Sequence, residues 1–299
     1  MIDPKVYTLL KVSECGSFVS AASQLHISQP AVSQHIKALE DELGVSIFDR
    51  GKGKLVLTTQ GEEVIKAAKK LTGIYTGLKQ SIEDGTSLTT HMTVGVTHTA
   101  ESNPIARALA SYCSRNPKVY IKMITDSINN LYNMLRTYEI DIAVVEGRLR
   151  DDNIRYICLD NDYLILAVSP NHPLAQKSMV TLNELRKERM ILRLPNSGTR
   201  NLFVSHLESN NMSINDFNVI LEVDNIATIK DLIRSDFGVS ILARSACLDE
   251  LKKGKIVALP VENLSMVREI NIAYPSDFNR FDLLDELVKS YNSILQTYR

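Results

Sequence analysis

Apolar residues recur at intervals of three and four positions in the first part of the chain, which is the spacing of amphipathic helices. The pattern predicts three short helices in succession. Their apolar positions are Val6, Leu9 and Leu10 in the first, Phe18, Val19, Ala22 and Leu25 in the second, and Val32, Ile36, Leu39 and Leu43 in the third. The third helix follows a break at which Ser28 is placed to cap the backbone. Pro30 falls in the first turn, where its missing N–H costs nothing.

The polar face of the third predicted helix suits contact with DNA. Ser33, Gln34 and Lys37 lie opposite the apolar stripe, and no carboxylate occurs on this face before Asp41. Hydroxyl, amide and amine groups contact base edges and phosphates in a major groove. With the preceding helix, this predicts a helix-turn-helix, although an ordinary three-helix bundle with a solvated face fits the periodicity equally well. The predicted DNA contacts here are Ser28, Gln29, Pro30, Ser33, Gln34 and Lys37.

Two short β-type runs follow, at residues 46–48 and 55–57, on either side of a basic and glycine-rich turn. This arrangement predicts the hairpin of a winged helix-turn-helix domain. Cations at the tip of such a hairpin contact the phosphate backbone and reach the minor groove. The turn lacks the Walker spacing of a nucleotide phosphate loop. The predicted DNA contacts in the turn are Arg50, Lys52 and Lys54.

A capping-box sequence at residues 59–62, Thr-Gln-Gly-Glu, opens a long predicted helix. Apolar residues then recur at alternating intervals of four and three, as in helices that pair with other helices. They are Val64, Ala68, Leu71, Tyr75, Leu78 and Ile82. We predict that this helix pairs two subunits, because so small a domain offers it little core; packing on its own domain is the alternative. The helix is expected to end at Asp84-Gly85, before a polar hinge at residues 86–91.

The remaining two-thirds of the chain alternates strand-like and helix-like runs, such as DIAVVEG, YLILAVS and GVSILA. This is the βαβ pattern of a largely parallel sheet with helices on both faces. Two sets of such runs predict two similar α/β lobes, with chain crossings near residues 158–166 and 263–269. In such sheets a ligand binds at the carboxyl ends of the strands.

The motifs and their order resemble those of LysR-type transcriptional regulators. From about Val6 to Gly85, the run GSFVSAASQLHISQPAVSQHIKALEDELGVSIFDR, the basic turn and LTTQGEE are similar to the N-terminal domain of that family. From Met92 to about Tyr274, the runs DIAVVEG, NHPLA, NSGTR and DFGVSILARSA are similar to its effector-binding domain. The resemblance implies an α/β protein with an N-terminal all-α winged helix-turn-helix domain. Its two-lobed α/β effector domain would resemble type II periplasmic binding proteins.

Three positions depart from the family pattern. Many relatives carry Arg in place of Gln34, a second amide in place of His35 and Gly in place of Asp236. The first two departures mean that the resemblance does not predict which operator bases are contacted. The third predicts a local change at the corner before the strand that follows Asp236.

The domain boundaries follow from this order of motifs. We expect the winged helix-turn-helix domain at residues 1–58, the linker helix and hinge at 59–90, and the effector-binding domain at 91–299. Lobe I is expected at about 91–162 and 268–299, and lobe II at about 163–267. The resemblance implies a regulator of double-stranded DNA that works as a homodimer or as a tetramer of two dimers. RNA polymerase is a further candidate partner.

Two stretches rich in hydroxyl groups are expected to face each other across the cleft between the lobes. Residues 97–99 open the first helix of lobe I, and residues 197–200 open a helix of lobe II. Hydroxyls and free N–H groups at a helix N-terminus favour an anion, so we predict a small carboxylate or inorganic oxyanion as the effector. The alternatives are that Ser197 and Thr199 only cap their helix, that His98 is a packed side chain and that Arg200 forms a surface ion pair. The predicted effector contacts are Thr97, His98, Thr99, Glu146, Ser197, Gly198, Thr199, Arg200 and Asn225.

Composition narrows the remaining function classes. The formal net charge of −1 gives no global positive field, so a polyanion site must be a local patch. None of the six histidines has metal-ligand spacing, and no nucleophile elbow or dinucleotide-binding glycine motif occurs, so we expect no catalysis, metal or cofactor. The four widely spaced cysteines are expected to be reduced thiols, and the lack of Trp argues against a large planar effector. With no export signal and no membrane-spanning run, a cytoplasmic protein is expected rather than a solute-binding protein for transport.

Overall fold

A computed structural model gives the fold and describes residues 2–49 and 55–298. The chain divides into two compact units, Met1–Thr89 with Arg136–Glu139 and Thr90–Leu135 with Ile140–Arg299. Each unit has a hydrophobic core of its own. Across the described residues, no helix combines the length and apolarity that crossing a membrane requires.

The N-terminal unit begins with three helices, α1 (Pro4–Cys15), α2 (Phe18–Leu25) and α3 (Gln29–Leu43), which confirms the three helices predicted from the apolar spacing. Each begins after a residue whose side chain accepts a hydrogen bond from a backbone N–H of the first turn. These caps are Asp3, Ser17 and Ser28.

The three helices contribute seven apolar residues to a small core: Leu9, Val12, Ala21, Ala22, Val32, Ile36 and Leu39. The prediction that Val19 and Leu43 share this apolar face is wrong, because their side chains are 68% and 50% exposed. Val19 lies about 200° around α2 from the buried Ala21. Leu43 is the last residue of α3, where Gly44 turns the chain away at φ 67°.

A two-stranded hairpin follows α3. Strand β1 (Phe48–Asp49) pairs antiparallel with β2 (Val56–Leu57), with Phe48 opposite Leu57. The hairpin predicted from the sequence is therefore present. Its tip, with the predicted contacts Arg50, Lys52 and Lys54, lies outside the described residues.

Helix α4 (Thr59–Ser87) begins one residue earlier than the capping box predicted and ends two residues later than Gly85. Its cap is Thr58, whose Oγ1 accepts from the N–H of Gly61 at 2.8 Å and donates to the carbonyl of Ser46 at 2.6 Å. Only glycine fits at position 61, because a Cβ there would collide with the carbonyl oxygen of Ile47. This close approach of helix and hairpin sets the start of α4.

The second unit contains two α/β lobes. Lobe I contains β3 (Thr90–Val96), α5 (His98–Glu101), α6 (Ile105–Arg115), β4 (Val119–Thr125), α7 (Ile128–Arg136), β5 (Ile142–Glu146), the first half of β6 (Ile154–Val168), and the later elements β11 (Val267–Pro275) and α12 (Phe281–Gln296). Lobe II contains the second half of β6, α8 (Leu182–Leu185), β7 (Met190–Leu192), α9 (Gly198–Ser209), β8 (Val219–Glu222), α10 (Ile226–Arg234), β9 (Ser240–Ala243), α11 (Leu248–Lys252) and β10 (Val257–Leu259). Short 3-10 helices lie at Pro173–Gln176, Ile214–Asp216 and Arg244–Cys247.

Alternate residues of each buried strand pack on helices at opposite faces of the sheet, as the side-chain period of two requires. In lobe I, Ile142 and Val144 of β5 belong to a core with α6 and α12, whereas Ala143 and Val145 belong to a core with α7. Helices therefore cover both faces, as the sequence predicts.

The sheet is mixed rather than largely parallel, so that part of the prediction is wrong. Strand β3 pairs parallel with β4 and β5, but β11 runs antiparallel to both β5 and β6. Strand β6 extends from lobe I, where it pairs with β11, into lobe II, where it pairs antiparallel with β9 and β10. The antiparallel pairs arise where the chain crosses between the lobes, at or close to the predicted crossings.

Asp236 lies at the corner before the strand β9. Its φ of 59° is in the left-handed region, which favours glycine and which Asp tolerates better than most residues. The carbonyl of Asp236 accepts a hydrogen bond from Arg189 Nη2 at 3.2 Å. The departure from Gly at this position therefore keeps the turn, at some conformational cost.

Candidate functional site

A cavity of about 250 Å³ lies between the two lobes, and we call it the central cavity. It is bordered by the carboxyl ends of β3 and β5 and by the start of α9, which is where ligands bind in such folds. Of the predicted effector contacts, those that line it are Thr97, His98, Thr99, Glu146, Ser197 and Gly198. Thr199, Arg200 and Asn225 are not part of the lining.

The lobe I wall is held together by Thr97. Its hydroxyl caps α5 by accepting from Ala100 N–H at 3.1 Å and donates to the Glu146 carboxylate, with oxygen distances of 2.8 and 2.9 Å. The single hydroxyl hydrogen of Thr97 is thus used within the protein, and Glu146 is held at the cavity wall. Thr97 therefore positions a carboxylate rather than donating to a ligand in this arrangement.

The start of α9 forms the lobe II wall. Ser197 caps the helix, since its Oγ accepts from Arg200 N–H at 3.2 Å. The first N–H groups of a helix have no partner within the helix, and they carry partial positive charge at the end of the helix dipole. Ser197 and Gly198 lie at the cavity, so this end of α9 offers it donors.

Three predicted contacts have partners within the protein. Arg200 donates to the carbonyl of Arg193 at 3.1 Å and forms an ion pair with Glu222, so the ion-pair alternative describes it. Asn225 caps α10 by accepting from Thr228 N–H at 3.0 Å. Thr199 is only 2% exposed, and its hydroxyl lies against that of Thr99.

Two arginines that the sequence patterns do not single out lie at the central cavity. Arg193 follows β7 and Arg268 lies in β11; their side chains are 3% and 8% exposed. Arg193 Nη2 donates to Asp224 at 3.0 Å. The Nε and Nη2 atoms of Arg268 are buried without a hydrogen-bond partner among the described residues, and Asp162 lies 3.7 Å from Nη2. The available signal was a charged residue directly beside an apolar strand run: Arg193 follows MIL in RMILRL, and Arg268 stands near the start of VREINIAYP.

The charges at the cavity are divided between its walls. The cations are Arg193 and Arg268, and the carboxylates are Asp126, Glu146 and Asp224. Each carboxylate accepts a hydrogen bond from the protein: Asp126 from Ser127 N–H, Glu146 from Thr97 and Asp224 from Arg193. His98 is 41% exposed, with Nε2 at 4.0 Å from Asp224, so its side chain is not packed away from the cavity. Arg268 pairs with Asp162 at 3.7 Å without a hydrogen bond, whereas Arg193 donates to Asp224 and leaves its buried Nε without a partner among the described residues.

The polar face of α3 presents the predicted DNA contacts to solvent. The side chains of Gln29, Pro30, Gln34 and Lys37 are exposed, and Ser33 is half-buried. Ser28 is exposed and caps α3 through Ala31 N–H at 3.3 Å. In the described N-terminal unit, the face of α3 opposite the buried stripe is therefore accessible to DNA.

Two comparisons with protein families identify the chain. The LysR substrate binding domain matches residues 85–290, and the bacterial regulatory helix-turn-helix protein of the lysR family matches residues 5–62. The chain belongs to the LysR family of transcriptional regulators. This membership confirms the resemblance that the sequence motifs carried.

Individual relatives agree with this assignment to the LysR family. The chain is 29% identical to the HTH-type transcriptional regulator CfxR of Cupriavidus necator over 291 residues, covering 94% of this chain and 87% of CfxR. An uncharacterized HTH-type transcriptional regulator of Methanocaldococcus jannaschii is 30% identical over 274 residues, 89% of this chain and 91% of that protein.

Solved structures of LysR regulators share the fold. A full-length OxyR variant of Pseudomonas aeruginosa superposes with a TM-score of 0.67 at 22% identity, covering 98% of this chain and 95% of that one. Full-length CbnR complexed with its target DNA gives 0.68 at 16% identity, covering 98% of this chain and all (100%) of that one. The fold class predicted from the sequence, a helical N-terminal domain followed by a two-lobed α/β domain, is confirmed.

In this LysR family member, His35 has a structural role. Its Nδ1 lies 2.8 Å from the hydroxyl of the buried Thr8, which ties α3 to α1. The ring of His35 is half-buried. Where many relatives have an amide at this position, this chain therefore presents one polar group fewer on the exposed face of α3. Gln34 remains exposed beside it.

Proposed function

We propose that this regulator binds double-stranded DNA sequence-specifically and that a small anion in the central cavity controls its activity. The anion is a carboxylate or an inorganic oxyanion, and no metal or other cofactor takes part. The observation that supports the anion most directly is the buried guanidinium of Arg268, a lining residue of the cavity. It pairs with Asp162 only at 3.7 Å, and its Nε and Nη2 make no hydrogen bond among the described residues.

A buried cation without hydrogen-bond partners is costly, and a bound anion removes that cost. Asp162 offsets part of the charge as an ion pair at 3.7 Å but makes no hydrogen bond to the guanidinium; its oxygens accept from the N–H and hydroxyl of Ser245 at 3.0 and 2.8 Å. A carboxylate or oxyanion would accept two charge-assisted hydrogen bonds from a guanidinium. Because a Cβ built on Gly198 would lie 4.0 Å from Arg268 Nη1, the arginine and the N-terminus of α9 would act on the same anion.

The carboxylates on the opposite walls limit what the cavity accepts. Asp126 and Glu146 repel negative charge, so the anionic group must sit at the end of the cavity formed by α9 and Arg268. The remainder of the ligand would be neutral or would donate hydrogen bonds. A compact molecule fits these conditions, since none of the described residues that line the cavity is a Tyr or Phe that would stack on a large planar one.

On the DNA side, we assign direct contacts to α3 and phosphate contacts to the basic turn. Gln34 is placed to contact a base edge, and Lys37 to contact base or phosphate. Arg50, Lys52 and Lys54 remain predictions for the phosphate backbone. As a DNA-binding regulator, the protein would act in the cytoplasm, with RNA polymerase as a further candidate partner.

We assign the assembly to α4. Its apolar residues Leu71, Leu78 and Ile82 are 50%, 56% and 63% exposed, whereas Ala68 is buried in the core of its own unit. An apolar stripe of this length favours pairing with the same helix of a second copy. Two paired units would place two α3 helices in successive major grooves, and the family resemblance extends the dimer to a tetramer. Effector binding would then change the arrangement of the lobes and of the bound DNA.

The experiment measures DNA binding by fluorescence anisotropy with the full chain. One duplex comes from the region upstream of the protein's own gene, and a shuffled duplex of equal length and composition is the control. We expect tighter binding to the upstream duplex and a change in that affinity when a mixture of small carboxylates and oxyanions is added. Equal affinity for both duplexes would contradict sequence-specific regulation, and an unchanged affinity in the presence of the mixture would count against anion control.

A further inference from the structure

A second cavity, of about 200 Å³, lies between the lobes and shares no lining residue with the central cavity. We infer that it is a second small-molecule site, and that it takes a zwitterion with an ammonium and a carboxylate group, of the amino-acid class. We call it the second cavity. Its wall combines an unpaired buried donor, Asn103, with an excess of negative charge.

Asn103 provides the first part of the inference. The residue is 6% exposed, lies between α5 and α6, and lines the cavity. Its Oδ1 accepts from the backbone N–H of Ile105 at 2.8 Å, so the orientation of the side-chain amide is fixed. Its Nδ2 has no hydrogen-bond partner in the part of the chain that the structure describes. Buried donors are nearly always paired, so Nδ2 calls for an acceptor oxygen from a ligand.

The charged side chains of the wall offer a simple anion no unpaired cation. The cations of the wall are already paired: Lys230 with Glu250 at 3.0 Å and Arg107 with Asp249. Asp249 also accepts from the hydroxyl of Tyr298 at 3.0 Å. The carboxylates outnumber the cations by one, because Glu101 lines the same cavity.

Glu101 defines the other end of the ligand. Its carboxylate is exposed and makes no hydrogen bond or ion pair with any described residue. A ligand ammonium would pair with it while a ligand carboxylate accepts from Asn103. An α-amino acid carries both groups on one carbon, and the smaller amino acids are compatible with the cavity volume.

The position of the second cavity gives such a ligand a regulatory effect. The wall contains Asn103 and Arg107 from lobe I and Lys230 and Glu250 from lobe II, so a ligand held by Asn103 and Glu101 of lobe I would lie against side chains of lobe II. A ligand that contacts both lobes binds more tightly when the lobes are close enough for both contacts, and it therefore stabilises that arrangement of the lobes. The second cavity would therefore favour this arrangement of the lobes independently of the central cavity.

The test is calorimetric titration of the full chain with glycine, alanine, serine and glutamine in turn. Acetate and methylamine, each carrying one of the two charges, are the ligand controls, and they are titrated into Arg268→Gln so that anion binding in the central cavity does not contribute. We expect binding of at least one amino acid and of neither control. No binding at about 10 mM, a concentration that saturates a site of millimolar affinity, would overturn the proposal, and so would equal binding of acetate.

Variants locate the site. Asn103→Asp keeps an acceptor for Ile105 N–H but removes the donor, and we expect at least a tenfold loss of affinity. Glu101→Gln, at an exposed position that the fold does not need, should also weaken binding, whereas Glu208→Gln on exposed α9 and Arg268→Gln in the central cavity should not. Full binding in both Glu101→Gln and Asn103→Asp would overturn the assignment. Loss of binding in Arg268→Gln alone would place the ligand in the central cavity instead.

Discussion

The hydroxyl oxygens of Thr99 and Thr199 lie 3.4 Å apart, one in lobe I and one in lobe II. Both side chains are buried, at 6% and 2% exposed. The pair joins α5 to the first turn of α9 beside the central cavity. In this arrangement the contribution of Thr199 is to hold the lobes together, since its hydroxyl faces Thr99 rather than the cavity.

Because these hydroxyls are in contact, substitutions of Thr99 and Thr199 should have non-additive effects on the free energy of unfolding. Thr199→Val keeps the shape but leaves the buried Thr99 hydroxyl without its partner, so the free energy of unfolding should fall by about 1–3 kcal/mol. Thr99→Val with Thr199→Val removes both hydroxyls and should cost less than the sum of the single variants. Urea unfolding followed by circular dichroism measures this. Strict additivity would contradict a direct contact between the two side chains.

The exposed amide of Gln34 predicts a loss of specificity. A bidentate amide contact discriminates against a wrong base by about 1–3 kcal/mol, so Gln34→Ala should weaken binding to the operator far more than to random DNA. Glu42→Gln, at an exposed position near the end of α3, is the control and should change neither affinity by as much. Anisotropy titrations of both duplexes give the ratio of operator affinity to random-DNA affinity for each variant. Equal losses on the two duplexes would mean that another face of the domain contacts the bases.

The exposed stripe of α4 predicts that assembly depends on Leu78. Leu78→Asp would place an unpaired charge in an apolar interface, which should dissociate the complex to a smaller species. Lys66→Asp introduces the same side chain at an exposed polar position of the same helix and should leave the mass unchanged. Light scattering reports the mass directly. An unaltered mass for Leu78→Asp would show that the subunits associate elsewhere.

The environments of the cysteines predict selective alkylation. Burial raises the pKa of the Cys247 thiol to about 12 and also raises the pKa of Cys113, so little of the reactive thiolate forms at neutral pH. Cys158 is exposed. Brief treatment of the folded chain with iodoacetamide should label Cys158 first and Cys247 only after unfolding in urea, as mass spectrometry of peptides would show. Labelling of Cys247 as fast as Cys158 in the folded protein would contradict its burial.

Local sequence rules were sufficient for elements that depend on neighbouring residues. The spacing of Val32, Ile36 and Leu39 gave α3, and Ser197 was correctly recognised as a possible cap of α9. The hydroxyls of Thr97 and Ser197 were identified as cavity residues because strand ends and helix starts meet at one edge of such sheets.

The rest depended on contacts between distant segments. Arg200 pairs with Glu222 on β8, a partner that spacing along the chain does not reveal. Arg268 lies beside the charged Glu269 at the partly exposed start of β11, which is typical of a surface ion pair, and only the packing around Asp162 buries its side chain. The start of α4 at Thr59 is set by the approach of Gly61 to the hairpin, and the antiparallel pairs of the sheet are set by the crossing strands β6 and β11. Each of these follows from tertiary packing that no local pattern encodes.

The central claim is that an anion binds Arg268 in the central cavity, and calorimetry of the full chain tests it directly. Wild-type protein, Arg268→Lys and Arg268→Gln would each be titrated with small carboxylates, sulfate and phosphate, and with neutral molecules of similar size. We expect binding of an anion to the wild type, weaker binding to Arg268→Lys, which keeps the charge but loses the planar pair of donors, and none to Arg268→Gln. Binding of neutral compounds alone, or anion binding that is undiminished in Arg268→Gln, would contradict the claim.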